Sequence, residues 1–465
     1  MRIKKIAAFT AALMIMIPAA AYIAADGGFS FVVSAEEKIQ KDDFVFEVMS
    51  DGTAVLNSYT GEAEDVVIPS SVTDDAGNEY KVTVLGENCF KSNGMKSVTI
   101  PASVNRFNGL QYFGYQFAYC VNLQSVIFEE GSQLKEISDR AFMGCEKLRE
   151  INIPDSVKLI GLEAFSGCTN LSSVFAKGVE TIEDNAFCNC IYLENVETGS
   201  NLTDIGFNAF GCTGITSFNF PKTITAIGES AFEGCGSLEK IVFEEGSYLK
   251  EIGAKAFCDT GITSVIIPKS VKTIYNAVFC GCKGLKTITF EEGSALTSIG
   301  DLVFENCISL TQISFPDSLT SIGNSAFSGD ESLTSVSFGN KLKTVGPLAF
   351  FKCNNLKSLT VPESVLEIGE NAFGFYSDAA GLFTGTIIMV EDFTIYGKPG
   401  TESEKYVNAC KEKGLPMNFV DISTSEPGDH SDSNFANGIY CDVNGDGAAN
   451  VMDLALMKKY LLLGE

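Results

Sequence analysis

Tryptophan is absent from this chain and histidine occurs once, at His430. A single imidazole excludes a multi-histidine metal site and any histidine-based catalytic triad elsewhere in the chain. Positive charge is scarce too: 33 Lys and Arg stand against 59 Asp and Glu, a formal charge of −26. Such a surface repels phosphate and anionic headgroups and has no basic stripe with which to release counterions, so nucleic acid is excluded as a partner class. Carboxylates remain as the one common source of general acid or base. What the chain holds in quantity is 45% apolar residues, 44 Gly, 35 Phe and 15 Cys in 465 residues. That apolar share supplies a large core, and with only 20% charged residues the chain as a whole is not disordered.

Long apolar runs are rare, and the first residues carry the main one. Met1-Arg2-Ile3-Lys4-Lys5 leads into apolar residues from Ile6 to Ile17 and then Pro18-Ala19-Ala20-Ala21, a positively charged start followed by an apolar stretch. This reads as an export signal over residues 1–35, cleaved after Ala25 or, with small residues in Val33-Ser34-Ala35, after Ala35. Asp26-Gly27-Gly28 interrupts the run before it reaches the ~20 residues of a membrane span, so no membrane insertion is expected. The mature chain is expected to be secreted, free or held at the cell surface by a partner.

Self-similarity organises most of the rest. A Phe following Ala or a similar residue recurs thirteen times from Phe90 to Phe373, about every 24 residues, which is a solenoid period. A clear unit runs Ala141-Phe142-Met143-Gly144-Cys145, Leu148, Ile151, Ile153-Pro154, Val157, Ile160-Gly161 and back to Ala164-Phe165. Ile151 and Ile153 alternate with Glu150 and Asn152, predicting a short strand with one buried face. Pro154 ends it. Val157 and Ile160 are expected to fill the coil, Gly161 to make a tight corner, and Phe165 to close the far side. One such coil buries little, whereas stacked coils place each Leu, Ile and Phe on its equivalent and align the strands into a continuous parallel sheet, about 60 Å long for twelve intervals.

This pattern resembles the BspA-like, or Treponema-type, leucine-rich repeat, a family of secreted bacterial solenoids. The resemblance implies a repeat solenoid poor in helix, a leucine-rich-repeat solenoid with a parallel β-sheet, over residues 89–373. Residues 36–88 resemble the family's N-terminal segment. Residues 374–421 resemble its C-terminal cap, with a helix from about Ser403 to Lys413.

Departures from the repeat are where chemistry would be sought. Three intervals carry an extra Phe-Glu-Glu-Gly-Ser, at Phe128, Phe243 and Phe290, and read as wider surface turns, because Glu245 and Glu292 lie too far apart to share one cation. Eight Cys sit three residues after a marker Phe: Cys120, Cys145, Cys168, Cys190, Cys235, Cys282, Cys307 and Cys353. That regularity reads as a ladder of buried thiols, with inter-coil bridges as the alternative. Cys188-Asn189-Cys190 and Cys280-Gly281-Cys282 lack zinc-ligand spacing. Outward strand positions are mostly small hydroxyls, among them Ser172, Thr216, Ser264, Thr287, Thr334 and Ser358. This face is the candidate surface for an unknown protein or glycan. Protein is preferred because no Trp supplies a stacking platform and Phe175 or a Tyr would have to. The best enzymatic pair, Glu194 and Glu239, stands two coils apart on a flat exposed face without a lid, so no catalytic residues are expected.

After the cap, residues 422–438 read as a polar linker, His430 included. Then Asp442 to Asp453 places oxygen donors at loop positions 1, 3, 5, 9 and 12 and Gly447 at position 6, the pattern of an EF-hand calcium loop. The predicted Ca²⁺ ligands are Asp442, Asn444, Asp446, the Ala448 carbonyl, Asn450 and Asp453. Leu454, Met457, Tyr460 and Leu461 follow at helical spacing. With Lys458 and Lys459 in the same helix, residues 439–465 resemble a dockerin segment, a small EF-hand-type α element that attaches secreted proteins to cohesins of cellulosome-type scaffolds. Dockerins ordinarily carry two such segments and this chain shows one. The resemblance implies a cohesin partner read by Val451, Met452, Met457, Lys458 and Lys459, in the service of polysaccharide degradation. The alternative is an extracellular adhesin whose calcium loop is purely structural.

Overall fold

The computed structural model describes residues 21–25, 28–32, 38–108, 114–377 and 387–423. Within the expected signal, Ala21–Ala25 pairs antiparallel with Gly28–Val32. The run Ile6–Ile17 lies outside the described residues, as does the whole of 424–465.

The first coil is prepared by a small mixed sheet. Lys38–Lys41, Phe44–Val48 and Thr53–Tyr59 are antiparallel neighbours, and Glu79–Leu85 then joins Thr53–Tyr59 in parallel. Asp51 makes the second hairpin by accepting the Thr53 N–H at 3.0 Å and the Thr53 hydroxyl at 2.7 Å, while Gly52 takes a positive φ of 79°. Phe46, Leu56 and Val82 have no exposed surface and form the floor on which the solenoid stacks.

From there each coil repeats one plan. The marker rings form a column from Phe90 to Phe373, successive centroids 4.9 to 5.6 Å apart and near parallel. Each fully buried ring contributes roughly 1.5–3 kcal/mol of apolar burial. The marker's backbone N–H donates to the next coil, as Phe142 does to the Ala164 carbonyl at 2.8 Å. To turn this tightly the chain takes the left-handed conformation two residues before every marker, with φ between 49° at Tyr115 and 60° at Leu302.

Two strand rows run along the coils, where one continuous sheet is predicted. The predicted strands form the first row, parallel in register from Asp65–Val67 and Ser97–Ile100 to Ser358–Thr360 and Thr394–Gly397. This row is split into sheets of two to four strands. Breaks follow Phe128, Thr198, Phe290 and Ser337; two of them coincide with Phe-Glu-Glu-Gly-Ser insertions, whereas across the insertion at Phe243 the pairing narrows to Lys240 with Ser264. The unbroken ladder is on another side: eleven two-residue strands from Glu136–Ile137 to Glu367–Ile368, all parallel. It is continuous because Ile137, Ile160 and their equivalents always stand five residues before the marker. Ile160 is thus a strand residue as well as core filling. Gly161 serves a different need from a corner. A Cβ there would come 2.8 Å from the Asp139 backbone nitrogen and 3.0 Å from the Ile137 carbonyl, so glycine lets adjacent backbones touch.

Both ends are closed by aromatic groups. Tyr59 packs against Phe90 at the start, ring centroids 5.4 Å apart and planes tilted by 42°. At the end the helix Glu402–Glu412, close to the predicted span, buries Ser403, Val407 and Cys410 and brings in Tyr406. Phe373 has no following coil to receive its N–H, and the Tyr406 oxygen accepts it at 3.1 Å while the Tyr406 hydroxyl donates to the Phe373 carbonyl at 3.3 Å. Glu404 accepts the Gly400 N–H at 2.8 Å and so fixes the helix start.

Candidate interaction surface and C-terminal module

The outer face of the first strand row follows from alternation. Val174, Phe218, Val265 and Ile288 point inward and are buried, so their neighbours face outward. In the column at the strand entrance, hydroxyls are partly committed to the coils themselves. Ser172 donates to the Arg149 carbonyl at 3.0 Å and Thr334 to the Thr311 carbonyl at 3.0 Å, each bridging to the preceding coil. The outward column three residues on is less polar than predicted. Lys240 pairs with Ser264, which sets Val242 level with Ile266, and the two are 40% and 49% exposed. Ile127 is 50% exposed beside Thr99, and Phe175 is half-buried between Asn152 and Glu197. Phe175 is the aromatic the sequence points to on this face; Ile127, Val242 and Ile266 escape it because the hydroxyl count averages over coils, whereas the register isolates a single column.

Glu194 and Glu239 are both exposed at equivalent strand-entrance positions, donating their N–H groups to the Ser172 and Thr216 carbonyls. Neither is enclosed, so neither is desolvated as a glycosidase acid must be. The Phe-Glu-Glu-Gly-Ser glutamates have a structural task. Glu129, Glu244 and Glu291 accept the backbone N–H groups of Ala102, Lys222 and Lys269 at 3.0, 2.7 and 3.0 Å, each just after a proline of the preceding coil. A cleft of about 540 Å³ lies between the last coil and the cap helix, lined by Glu370, Asn371, Lys405, Tyr406 and Lys413 among others. Its charges are neutralised locally, Lys413 pairing with Glu370 at 3.2 Å and Lys405 with Glu402 at 2.6 Å.

The eight ladder cysteines are buried free thiols. Each donates to the marker carbonyl of the preceding coil: Cys120 to Phe90 at 3.0 Å, Cys145 to Phe117 at 3.1 Å, and so on to Cys353 and Phe327 at 3.1 Å. This inter-coil bond is a role that burial alone does not predict, and the constant Phe-to-Cys spacing was its signal. Burial pushes the Cys235 and Cys282 thiols up to about 11 and Cys120 to about 12, so they stay protonated and inert. No cluster of three or more potential metal ligands occurs among the described residues. The predicted calcium ligands from Asp442 to Asp453, and Val451, Met452, Met457, Lys458 and Lys459, lie outside the described residues.

A stack of coils with one ordered core and an open strand face defines a solenoid that displays a surface rather than enclosing a site. The chain belongs to the BspA type leucine rich repeat family, whose six-copy region matches residues 83–210, 111–239, 172–282 and 250–378. A Dockerin type I domain matches residues 422–462. Among solved structures it is similar to a leucine-rich repeat protein from Bacteroides ovatus, 23% identical, with 82% of this chain and 100% of that one covered and a TM-score of 0.57. It is also similar to a leucine rich cell surface protein from Faecalibacterium prausnitzii, 27% identical, covering 72% and 95% of the two chains with a TM-score of 0.45. No curated protein matches the chain. Both matched families are non-catalytic interaction modules, and their members are usually extracellular or surface-associated. Dockerin type I domains typically bind calcium. Among the described residues no helix is long and apolar enough to cross a membrane.

Proposed function

We propose that this chain is a secreted, non-catalytic interaction protein. Its repeat face holds a protein ligand, and its dockerin domain attaches it, in a calcium-dependent manner, to a cohesin of a cellulosome-type scaffold. The observation that carries the reading is the dockerin match over the same residues whose spacing forms a calcium loop. The donor set is entirely oxygen, as a hard divalent cation requires: Asp442, Asn444, Asp446, the Ala448 carbonyl, Asn450 and Asp453. Bound calcium would tie the loop to the segment that follows it, for which the sequence spacing predicts a helix. Val451 and Met452 at the loop's end, with Met457, Lys458 and Lys459 in that segment, would then form an apolar anchor with a basic rim against the cohesin.

The test is binding of the full chain to a panel of cohesins, with calcium and with chelator, beside Asp453→Ala and a chain ending at Val420. Calcium-dependent binding that both variants lose is the expected result. Binding that survives in the chain ending at Val420 would show that the repeats, not the dockerin domain, make the attachment. Calcium uptake without cohesin binding would make the loop structural and leave an adhesin.

A further inference from the structure

Two cysteines outside the buried ladder form a pair of a different kind. Cys258 and Cys280 directly follow the markers Phe257 and Phe279, whose rings lie 5.6 Å apart at 9°. Backbone bonds bracket them, Phe257 N–H to the Val278 carbonyl at 3.0 Å and Asp259 N–H to the Cys280 carbonyl at 2.8 Å. They therefore hold the same position on consecutive coils, at a strand-like separation of about 5 Å, inside the Cα range that disulfides span. Their thiols are neighbours across the two coils, near enough for Cys280 to act on Cys258. Ladder thiols also neighbour one another, but those are fully buried and each holds a marker carbonyl that a disulfide would orphan. Here the thiols point instead to carboxylates at the surface, Cys258 to Asp259 Oδ2 and Cys280 to Glu305 Oε2, both at 3.6 Å. Cys258 is 7% exposed and Cys280 is half-buried, so a small reagent reaches the pair from the Cys280 side.

We propose that Cys258 and Cys280 are a covalent clip site, closing as an inter-coil disulfide when the folded protein meets a small-molecule disulfide as oxidant. The Cys280 thiol loses its proton to solvent and its sulfur attacks one sulfur of the oxidant, expelling a first thiolate. Cys258, deprotonated in turn, attacks the Cys280 sulfur of the mixed disulfide and expels the second. The protein gives up two protons and two electrons, and the oxidant becomes two thiols. Contact with Cys280, burial and the nearby Asp259 and Glu233 all hold the Cys258 thiol above its ordinary range. Closure is therefore slow at neutral pH.

The experiment uses the folded full chain, incubated with reduced or with excess oxidised glutathione, quenched by alkylation, digested without reduction and read by mass spectrometry. The expected result is one species joining the Cys258 and Cys280 peptides, lighter by two hydrogens, from wild type and from Cys282→Ser but not from Cys280→Ser. The Cys282→Ser arm is needed because Cys282 shares the tryptic peptide of Cys280. Exposed Cys212 carries a glutathionyl adduct in the same sample and reports that the oxidant reached the protein. Alkylated Cys258 and Cys280 in a sample where Cys212 has reacted would overturn the proposal, as would a link from either residue to any other cysteine. If a variant misfolds, fragment ions of the wild-type linked peptide that place the alkyl group on Cys282 assign the bond to Cys280, and an alkyl group on Cys280 would overturn the proposal.

Discussion

Asp330 stands where the other coils from Phe117 to Phe350 place a thiol or a hydroxyl, three residues after its marker Phe327, and it has no exposed surface. One carboxyl oxygen accepts the Cys307 N–H at 2.8 Å, and the other is buried without a hydrogen-bond partner. Burial pushes its pKa well above the usual carboxylate range, against the opposing pull of the Cys307 N–H. The native state therefore holds a proton that the unfolded chain releases near pH 4. A raised carboxyl pKa gives stability that is complete below the unfolded value and is lost as pH rises through the folded one. Asp330→Thr tests this, because Thr213 and Thr260 already fill the same position. Their hydroxyls donate to the Phe210 and Phe257 carbonyls at 2.9 and 2.8 Å and meet the next coil's thiol at 3.2 Å. The substitution orphans nothing, since the Cys307 N–H also reaches the Phe304 carbonyl at 3.1 Å. Removing one unsatisfied buried oxygen and the proton requirement stabilises by about 1–3 kcal/mol at pH 7. Urea unfolding followed by circular dichroism under reducing conditions should show a higher midpoint for the variant at pH 7 and a smaller difference at pH 4. A lower midpoint at pH 7, or a gain equal at both pH values, would refute the reasoning.

Two further predictions concern the backbone. Leu302 holds φ +60° with a side chain that gains little there, being 37% exposed, while Asn occupies the same position at 88, 185, 208 and 371. Leu302→Asn should raise the urea midpoint by an amount equivalent to about 1 kcal/mol. A Cβ on Gly228 would meet the Gly206 carbonyl carbon and oxygen at 2.4 Å, whereas one on Gly236 would meet nothing within 4 Å. Gly228→Ala should destabilise by about 1–3 kcal/mol and Gly236→Ala by almost nothing, and equal effects in the same assay would count against close backbone approach as the reason for glycine.

Most of the core was legible in the sequence because a solenoid repeats its instruction. The markers from Phe90 to Phe373 announced the period, and the aromatic column and the thiol ladder followed from it, while the cap helix was expected from the family resemblance alone. The second strand ladder was not legible, because two residues such as Leu159–Ile160 are too short to show an alternation. Its signal was the constant five-residue distance from Ile to Phe. The inter-coil bonds of Glu129 and of the Cys ladder were hidden for a related reason: periodicity shows which residues are equivalent but not which atoms of neighbouring coils meet. The exposed pair Val242 and Ile266 needed the register itself, since each looks like ordinary strand composition in its own coil.

The same logic says where the individuality of this chain resides. Whatever every coil shares, the Phe column, the marker bonds, the Ile ladder, serves stacking, because equivalent residues make equivalent contacts. A ligand surface cannot be built from those positions alone, since a uniform face presents the same chemistry at every step and fixes no register for a partner. The proposed ligand of the repeat face would be recognised through the positions that break the repeat on the outside: Phe175 beside Glu197, Val242 beside Ile266, Lys240 beside Ser264. On the inside the same subtraction isolates Asp330 and the Cys258–Cys280 pair, one a buried group that costs stability and the other a link poised to add it. Stability is distributed evenly along a solenoid and specificity is not, so substitutions at the outward irregular positions should alter binding while leaving the stack intact.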